Sequence, residues 1–458
     1  MKHHTTERAK FSSKLGIILA SAGSAVGLGN VWRFPTEVGQ HGGAAFILIY
    51  VLCVVVLGLP LMTSEFLIGR HTHANTFDAY KQLAPRSGWI AQGFLGVFTA
   101  WFILCYYCVV TGWTLKYLVD ALVGTVGHIT DSSAYFTTFT SSVWPPLIFM
   151  ALTLIMTHLV IIRGVQKGIE RYSKVLMPVL LLIIAVLVIC SFSMPGSKEG
   201  MKFLLQPDFT KITPDVVLSA MGQAFFSLSI AMGCLCTYGS YFSDDAKLMK
   251  TAGSVAAIDT TVAVMSGFII FPAVFSVTGV APDAGPGLVF ITLPNVFQMA
   301  FSSVPWVGWA FAVMFYMLLL LAALTSMMSI HEPVTAFLHE HYHLSRSTAA
   351  CIVTAVALVL GVLCSLSFGL LSDVKPLWGM TFFDLFDFVS AKVFLPIGGI
   401  IISLFAGWRL DRSLVLSELT NKGTLHIPPL LIHTYLFILR WLAPIAIGLI
   451  FLNELNLL

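Results

Sequence analysis

Thr325 and Ser326 put two hydroxyls on neighbouring positions of an apolar run, close to the small residue Ala322. A hard cation takes oxygen ligands, and this pair offers two; the same hydroxyls can equally bond back to carbonyls of their own helix. The stretch "SAGSAVGLGNVWRFP" at 21–35 raises a related question. It lies in a run apolar enough to cross a membrane, yet holds Gly23, Gly27, Gly29, Asn30, Arg33 and Pro35. A third stretch, "SLSIAMG" at 227–233, interrupts another apolar run that also carries Gly222, Gln223 and Tyr238. Unwinding a helix in lipid strips N–H and C=O groups of partners, which is tolerated only where they line a cavity or ligate something. Freed carbonyls can coordinate a cation, and N–H groups at the start of a half-helix attract a carboxylate. Close packing of small residues four apart would account for Gly23 and Gly27. It accounts neither for Asn30, Arg33 and Pro35 nor for the second break. An arginine inside an apolar span is a functional residue whose partner has to be named.

These residues need spanning helices to position them, and the composition supplies them. The 458 residues are 57% hydrophobic and 10% charged, with a mean hydropathy of +0.89, against roughly 25% charged in soluble domains. A span takes about 20 mainly apolar residues. Eleven segments qualify, starting near Leu15, Ala44, Ile90, Trp144, Lys174, Asp215, Ala252, Pro305, Thr348, Phe382 and Pro428. The expectation is an all-α polytopic membrane protein embedded in the lipid bilayer. The formal charge of +3 gives no nucleic-acid footprint. The basic N-terminal tail is followed by no small-residue cleavage site, so the first run reads as a retained helix. Of the 25 lysines and arginines, only Lys198, Lys202, Lys211 and Lys375 fall in loops on one side, and Arg33, Lys116 and Lys392 lie in or at the ends of spans. The bias places the N-terminus in the cytoplasm and the C-terminus outside, in a plasma membrane. The two breaks fall in the first and sixth spans, which predicts two five-helix inverted repeats, about 12–194 and 214–410, plus an additional helix at about 428–452.

Two motifs point elsewhere. "HEHYH" at 339–343 satisfies H-E-x-x-H, in which His339 and His343 one turn apart would bind zinc and Glu340 would act as base. A membrane zinc metalloprotease is therefore a rival class, and a channel of similar architecture is another. Cys105 and Cys108 have redox spacing, but no βαβ pattern surrounds them, and they read as packing thiols.

"GSAVGLGNVWRFP", "GGAAFILIY", "GLPLMTSEFLIGR" at 58–70, "GQAFFSLSIAMG" at 222–233 and "LAALTSMMSIHEP" at 321–333 together resemble the neurotransmitter:sodium symporters, above all the bacterial amino-acid carriers with the leucine-transporter fold. The resemblance implies unwound helices 1 and 6 and two sodium ions, with no organic cofactor and no obligatory protein partner. A second sodium site would use Gly23, Val26, Ala322, Thr325 and Ser326. A first would use Ala25, Asn30, Ser227 and Asp259 with the substrate's carboxylate. Where many relatives carry asparagine this chain has Asp259, and the position one turn on, Ala263, lacks a hydroxyl. A built-in anion there implies transport without chloride. Asp259 can also be read as an interfacial residue near "SDDAKLMK".

The same resemblance places an amino acid among Ser24, Ala25, Gly27, Gly29, Ile103, Tyr107, Phe226, Ser227, Ser229, Met232, Ser326 and Ile330. Gly27 stands where amine carriers have an aspartate, so the implied substrate is an α-amino acid whose carboxylate meets backbone N–H groups and the Tyr107 hydroxyl. The apolar lining favours a hydrophobic or aromatic side chain. Arg33 would gate the outer side with Asp384 or Asp387, and Arg8 the inner side with Glu340, near Tyr241 and Glu332. Glu65 and Arg70 would brace the first helix. The implied activity is sodium-coupled symport by alternating access.

Overall fold

The computed structural model describes residues 9–129, 131–277, 287–302, 304–455 and 457, and these are helical apart from turns, loops and one isolated bridge, Leu377 to Met380. The chain opens with α1 (Lys14–Ala25) and α2 (Gly29–Gln40), bent by 54°. There follow α3 (Ala44–Thr72), α4 (Ile90–Val123), α5 (Trp144–Ile161) and α6 (Val165–Ser191). Next come the short pair α7 (Pro214–Ser227) and α8 (Cys234–Gly239). The remaining long helices are α9 (Leu248–Phe275), α10 (Pro305–His341), α11 (Arg346–Leu366), α12 (Phe382–Arg409) and α13 (Pro429–Glu454). Among the described residues nine helices are long and apolar enough to cross a membrane, ten if the bent pair is one span. The expectation of eleven counts α7 with α8 as a further broken span. Boundaries agree within a few residues except for α6, which begins at Val165 where Lys174 was expected. The polar stretch Gln166 to Arg171 hid its first turns from a hydropathy reading.

Two helices form the spine. α4 has 34 residues and α10 has 37, and at about 1.5 Å per residue both exceed the thickness of a bilayer. They pack against each other along their length, and α10 is buried without interruption from Leu318 to Phe337. By contrast α6 and α11 turn Leu182, Ile189 and Val359 outward, each more than half exposed, as helices bordering lipid do. The interior is largely apolar too but holds the buried polar residues, while these outward faces are aliphatic.

The breaks have local causes. α1 starts on Ser13, whose hydroxyl accepts from the Gly16 N–H (3.0 Å), and it ends at Val26, which turns to an extended conformation. The first freed donors find side-chain acceptors: Gly27 N–H bonds Asn30 Oδ1 (2.9 Å) and Leu28 N–H bonds the Tyr107 hydroxyl (3.2 Å). α7 starts at Pro214 behind the Thr213 cap. Its break is costlier, because Ser229 (φ 54°) and Ala231 (φ 68°) join Gly233 (φ 72°) in left-handed conformations. A side-chain-bearing residue there costs roughly 1–2 kcal/mol, so the surroundings must enforce the turn. Glu65 of α3 accepts from the Ala231 N–H (2.7 Å), and Ser229 donates to the Ser24 carbonyl (2.9 Å). Glu65 therefore braces the second break, not the first helix as expected. Arg70 turns away from it to Glu418, 2.5 Å from its carboxylate.

α3 and α8 meet backbone to backbone. A Cβ on Gly69 would lie 1.9 Å from the Cys236 carbonyl oxygen, and one on Gly239 would lie 2.8 Å from the Phe66 carbonyl oxygen. Gly69→Ala is expected to destabilise the fold by about 2 kcal/mol or more, read as a lower midpoint of thermal unfolding in detergent; an unchanged midpoint would show that the two helices can part.

Candidate functional site

Both breaks face one buried carboxylate. Asp259 of α9 has no exposed surface, which removes its reading as an interfacial residue. Asn30 donates to its Oδ1 (2.7 Å), while Ser227 (2.8 Å) and Tyr50 (3.3 Å) donate to its Oδ2. The Asn30 amide also reaches the Ser227 hydroxyl (3.2 Å) and the Asp259 carbonyl (3.1 Å). Among the described residues no lysine, arginine or histidine pairs with Asp259. A charge sealed in a membrane bundle with hydrogen bonds but no counter-charge is costly. Two hydroxyls, Ser227 and Tyr50, lie at this single anion, while Asn30 turns its amide nitrogen to it and its oxygen to Gly27; carboxylate and hydroxyl oxygens of this kind suit a small hard cation.

The other oxygen cluster forms where α1 passes α10. The Ser326 hydroxyl donates to the Val26 carbonyl (3.1 Å), and a Cβ on Gly23 would sit 3.3 Å from the Thr325 Cβ. Thr325 bonds within its own helix, to the Leu321 (3.1 Å) and Ala322 (3.0 Å) carbonyls. Thr325 thus bonds back to its own helix, while Ser326 reaches across to α1. Gly23, Val26, Ala322, Thr325 and Ser326 converge; Ala25 lies at the last turn of α1 beside them.

Between the clusters is a cradle built on absent side chains. A Cβ on Gly27 would come within 2.5 Å of the Ser326 Oγ and 3.1 Å of the Tyr107 hydroxyl, and one on Gly29 within 3.1 Å of the Phe226 ring. The Tyr107 oxygen accepts from Leu28 N–H and has the Ser326 hydroxyl beside it. Ile103, Met232 and Ile330 are buried hydrophobes. Ser24 and Ser229 meet through the bond already described.

A family model for the sodium:neurotransmitter symporters matches residues 8–143 and 144–455. The chain belongs to the sodium:neurotransmitter symporter family. A sodium-dependent transporter of Bacillus subtilis is 39% identical over 98% of this chain and 98% of its own. A sodium- and chloride-dependent GABA transporter of Homo sapiens is 27% identical over 85% of this chain and 70% of its own. The crystal structure of MhsT in complex with L-phenylalanine superposes with a TM-score of 0.87, at 40% identity, covering 98% of this chain and 100% of that one. The protein is a sodium-dependent, multi-pass membrane symporter and not an enzyme.

The H-E-x-x-H match of this symporter is correspondingly a coincidence of helix-end histidines. α10 stops at His341, and His343 is left-handed (φ 54°), so the two histidines are not one turn apart on a helix. The His339 ring contacts the Leu344 carbonyl (2.6 Å), and Glu340 accepts from Asn75 N–H (2.9 Å) and its amide (3.0 Å). Among the described residues no three His, Cys, Asp or Glu gather to hold a metal. Cys105 and Cys108 bond back to their own helix, at Trp101 and Cys105 carbonyls.

At the expected outer gate Arg33 has carboxylate partners other than the two expected. A chamber of about 490 Å³ opens beyond Phe226 and Tyr107, with Arg33 on one wall and Asp387 on another. Arg33 lies 4.8 Å above the Phe226 ring and pairs with Glu37 (3.5 Å) and Glu454 (3.8 Å), not with Asp384 or Asp387. Asp384 is occupied with Thr381 at the start of α12 (2.7 Å). Arg33 and Asp387 line the same chamber without an ion pair between them. On the other side of the breaks, Arg8 lies outside the described residues. There Arg346 clamps Glu332 (3.0 and 2.6 Å), which also accepts from Tyr241 (2.7 Å).

Sequence reading missed Tyr50, Gln223 as a ligand of the Gly29 carbonyl (3.3 Å), Arg346 and Glu454. Tyr50 left a signal, being the single hydroxyl in the run "FILIYVLC". Gly27→Ala is expected to weaken amino-acid binding at least tenfold without loss of the fold. Tyr107→Phe, which leaves the Leu28 N–H unpaired at about 1–3 kcal/mol, should weaken it about tenfold. Scintillation proximity binding on purified protein checks both, and wild-type affinity in either would remove the cradle.

Proposed function

We propose that the protein imports a hydrophobic or aromatic L-amino acid together with sodium and without need of chloride. The observation that carries this reading is Asp259, buried among Asn30, Ser227 and Tyr50 with no cationic side chain. One sodium would sit there with Ala25, Asn30, Ser227 and the substrate's carboxylate, and a second with Gly23, Val26, Ala322, Thr325 and Ser326. The Asp259 carboxylate supplies the negative charge that a chloride would otherwise bring, and Ala263 offers an anion no hydroxyl.

The likeness to MhsT, solved with L-phenylalanine, and the apolar lining of Ile103, Phe226, Met232 and Ile330 support the substrate class. Gly27 leaves room and N–H groups for an α-carboxylate. Coupling needs states that differ in affinity. The Ser326 to Val26 contact supplies a mechanism, since an ion there would tie α1 to α10 and its departure would free α1 to swing. Sodium entering a negative cell gains about 2.3 kcal/mol per 100 mV, enough to concentrate a solute roughly fiftyfold per ion. α7 and α8 count in this reading as the eleventh span, completing two inverted repeats (about 12–194 and 214–410) with α13 added, the N-terminus inside and the C-terminus outside.

Proteoliposomes test it. Uptake of labelled L-phenylalanine or L-tryptophan is expected with sodium outside, to vanish with potassium, and to persist when gluconate replaces chloride. Asp259→Asn should cut sodium-driven uptake at least tenfold. Chloride-dependent uptake by the wild type would overturn the role of Asp259.

A further inference from the structure

The chamber beyond the cradle is ringed by charge from three helices. Arg33 on α2 and Lys392 on α12 are its cations; Glu37, Asp387 and Glu454 are its carboxylates. Glu454 comes from the last turn of α13, far in sequence from every sodium or substrate residue. Its oxygens divide between the two cations: Oε1 lies 3.8 Å from the Arg33 guanidinium and Oε2 lies 3.1 Å from the Lys392 ammonium. Glu37, the other partner of Arg33, is held by the Ser219 hydroxyl (2.5 Å) and faced by His41 (3.4 Å), which in turn faces Asp215 (3.7 Å). Arg33 and Glu454 are both about one-third exposed, at 34% and 27%, so the pair is wet and exchangeable.

We propose that Glu454 is a positioning residue of the outer gate, competing with Asp387 for the Arg33 guanidinium and so setting how readily the chamber closes over a bound amino acid. The inference rests on the reading of Arg33 as the outer-gate cation and takes Asp387, which lines the chamber, as its partner. In the open chamber Arg33 spends its charge on Glu37 and Glu454. Closing brings the Asp387 wall to Arg33, and the free energy of closing contains the difference between the partners gained and lost. Lys392 enters with the opposite sign. By holding the second oxygen of Glu454 it weakens that carboxylate's pull on Arg33, and removing it strengthens the hold on the open state. Because the guanidinium rests on the Phe226 ring, a shift of Arg33 carries the roof of the cradle with it. α13 thereby acts on the gate through one carboxylate.

The test places a reporter cysteine at Ala391, which lines the chamber, in a Cys190→Ser and Cys351→Ser background that leaves only buried native cysteines, and follows its reaction with a charged maleimide in sodium. Without amino acid, labelling should be slowest in Glu454→Gln, intermediate in the parent and fastest in Lys392→Met. The concentration of L-phenylalanine that halves labelling should shift about threefold down in Glu454→Gln and about threefold up in Lys392→Met, the size of an exposed ion pair. Should Glu454→Gln fold poorly, Glu454→Asp, which withdraws the carboxylate by one methylene, should shift labelling the same way. A pair that merely braces α12 to α13 is broken equally from either side, so shifts of the same sign in both variants would overturn the proposal, as would no shift in either. Asp387→Asn separates the two readings. It should raise labelling in every background, and if it does not, the gate pair itself is wrong, whatever Glu454 does.

Discussion

A single carboxylate without a cationic neighbour sets the terms for this bundle. Asp259 cannot be hydrated where it lies, and its three donors come from three elements: Asn30 after the first break, Ser227 before the second, and Tyr50 in α3. Asn30 and Ser227 meet at Asp259 where α1–α2 and α7–α8 are each interrupted. The interruptions expose backbone groups, which recruit Asn30, Tyr107 and Glu65 as acceptors in turn. The polar groups around the two breaks thus connect to one buried charge, while the Arg346–Glu332 and Arg70–Glu418 pairs form independently of it. The apolar rim is what the membrane requires of everything else.

The two breaks are not equivalent. The first is opened by glycines and by one extended residue, Val26, at little conformational cost. The second forces Ser229 and Ala231 into left-handed backbone, and it holds only because Glu65 and the Ser24 carbonyl fix it from outside. Strain concentrated at one of two facing elements, with its restraints supplied by neighbours, is a common property of sites that must change shape. Here the strained element is tied to α3, while the relaxed one hydrogen-bonds α10 through the Ser326 hydroxyl and packs on it at Gly23.

Much of this was legible beforehand, because glycine, proline and isolated polar residues stand out in an apolar chain. The breaks and the hydroxyl pair at 325–326 could be read from residue type and position, whereas the grouping of Asn30, Ser227 and Asp259 came only from the family resemblance. The α6 start was not, since the polar residues from Gln166 to Arg171 obey the same statistics as a loop. Neither was the wiring of the charges. Glu65 and Arg70 share a helix yet serve different partners, and Glu454 lies 421 positions from Arg33. Long-range ion pairs depend on how helices lie against each other, and no spacing rule encodes that. The H-E-x-x-H match fails for a related reason: the motif presumes a helix that in fact stops at His341.

The contact of Gly69 with Cys236 and of Gly239 with Phe66 limits the degrees of freedom of the whole assembly. Two helices whose main chains touch have no side-chain layer to yield between them, so they cannot slide lengthwise or roll without collision. α3 and α8 are in effect one mechanical part, and the hinge that lets the second broken helix move has to lie at the strained turn or beyond α8. Any rocking of α8 then drags α3 and with it Tyr50, so one hydroxyl on Asp259 travels with the moving part while the carboxylate stays on α9.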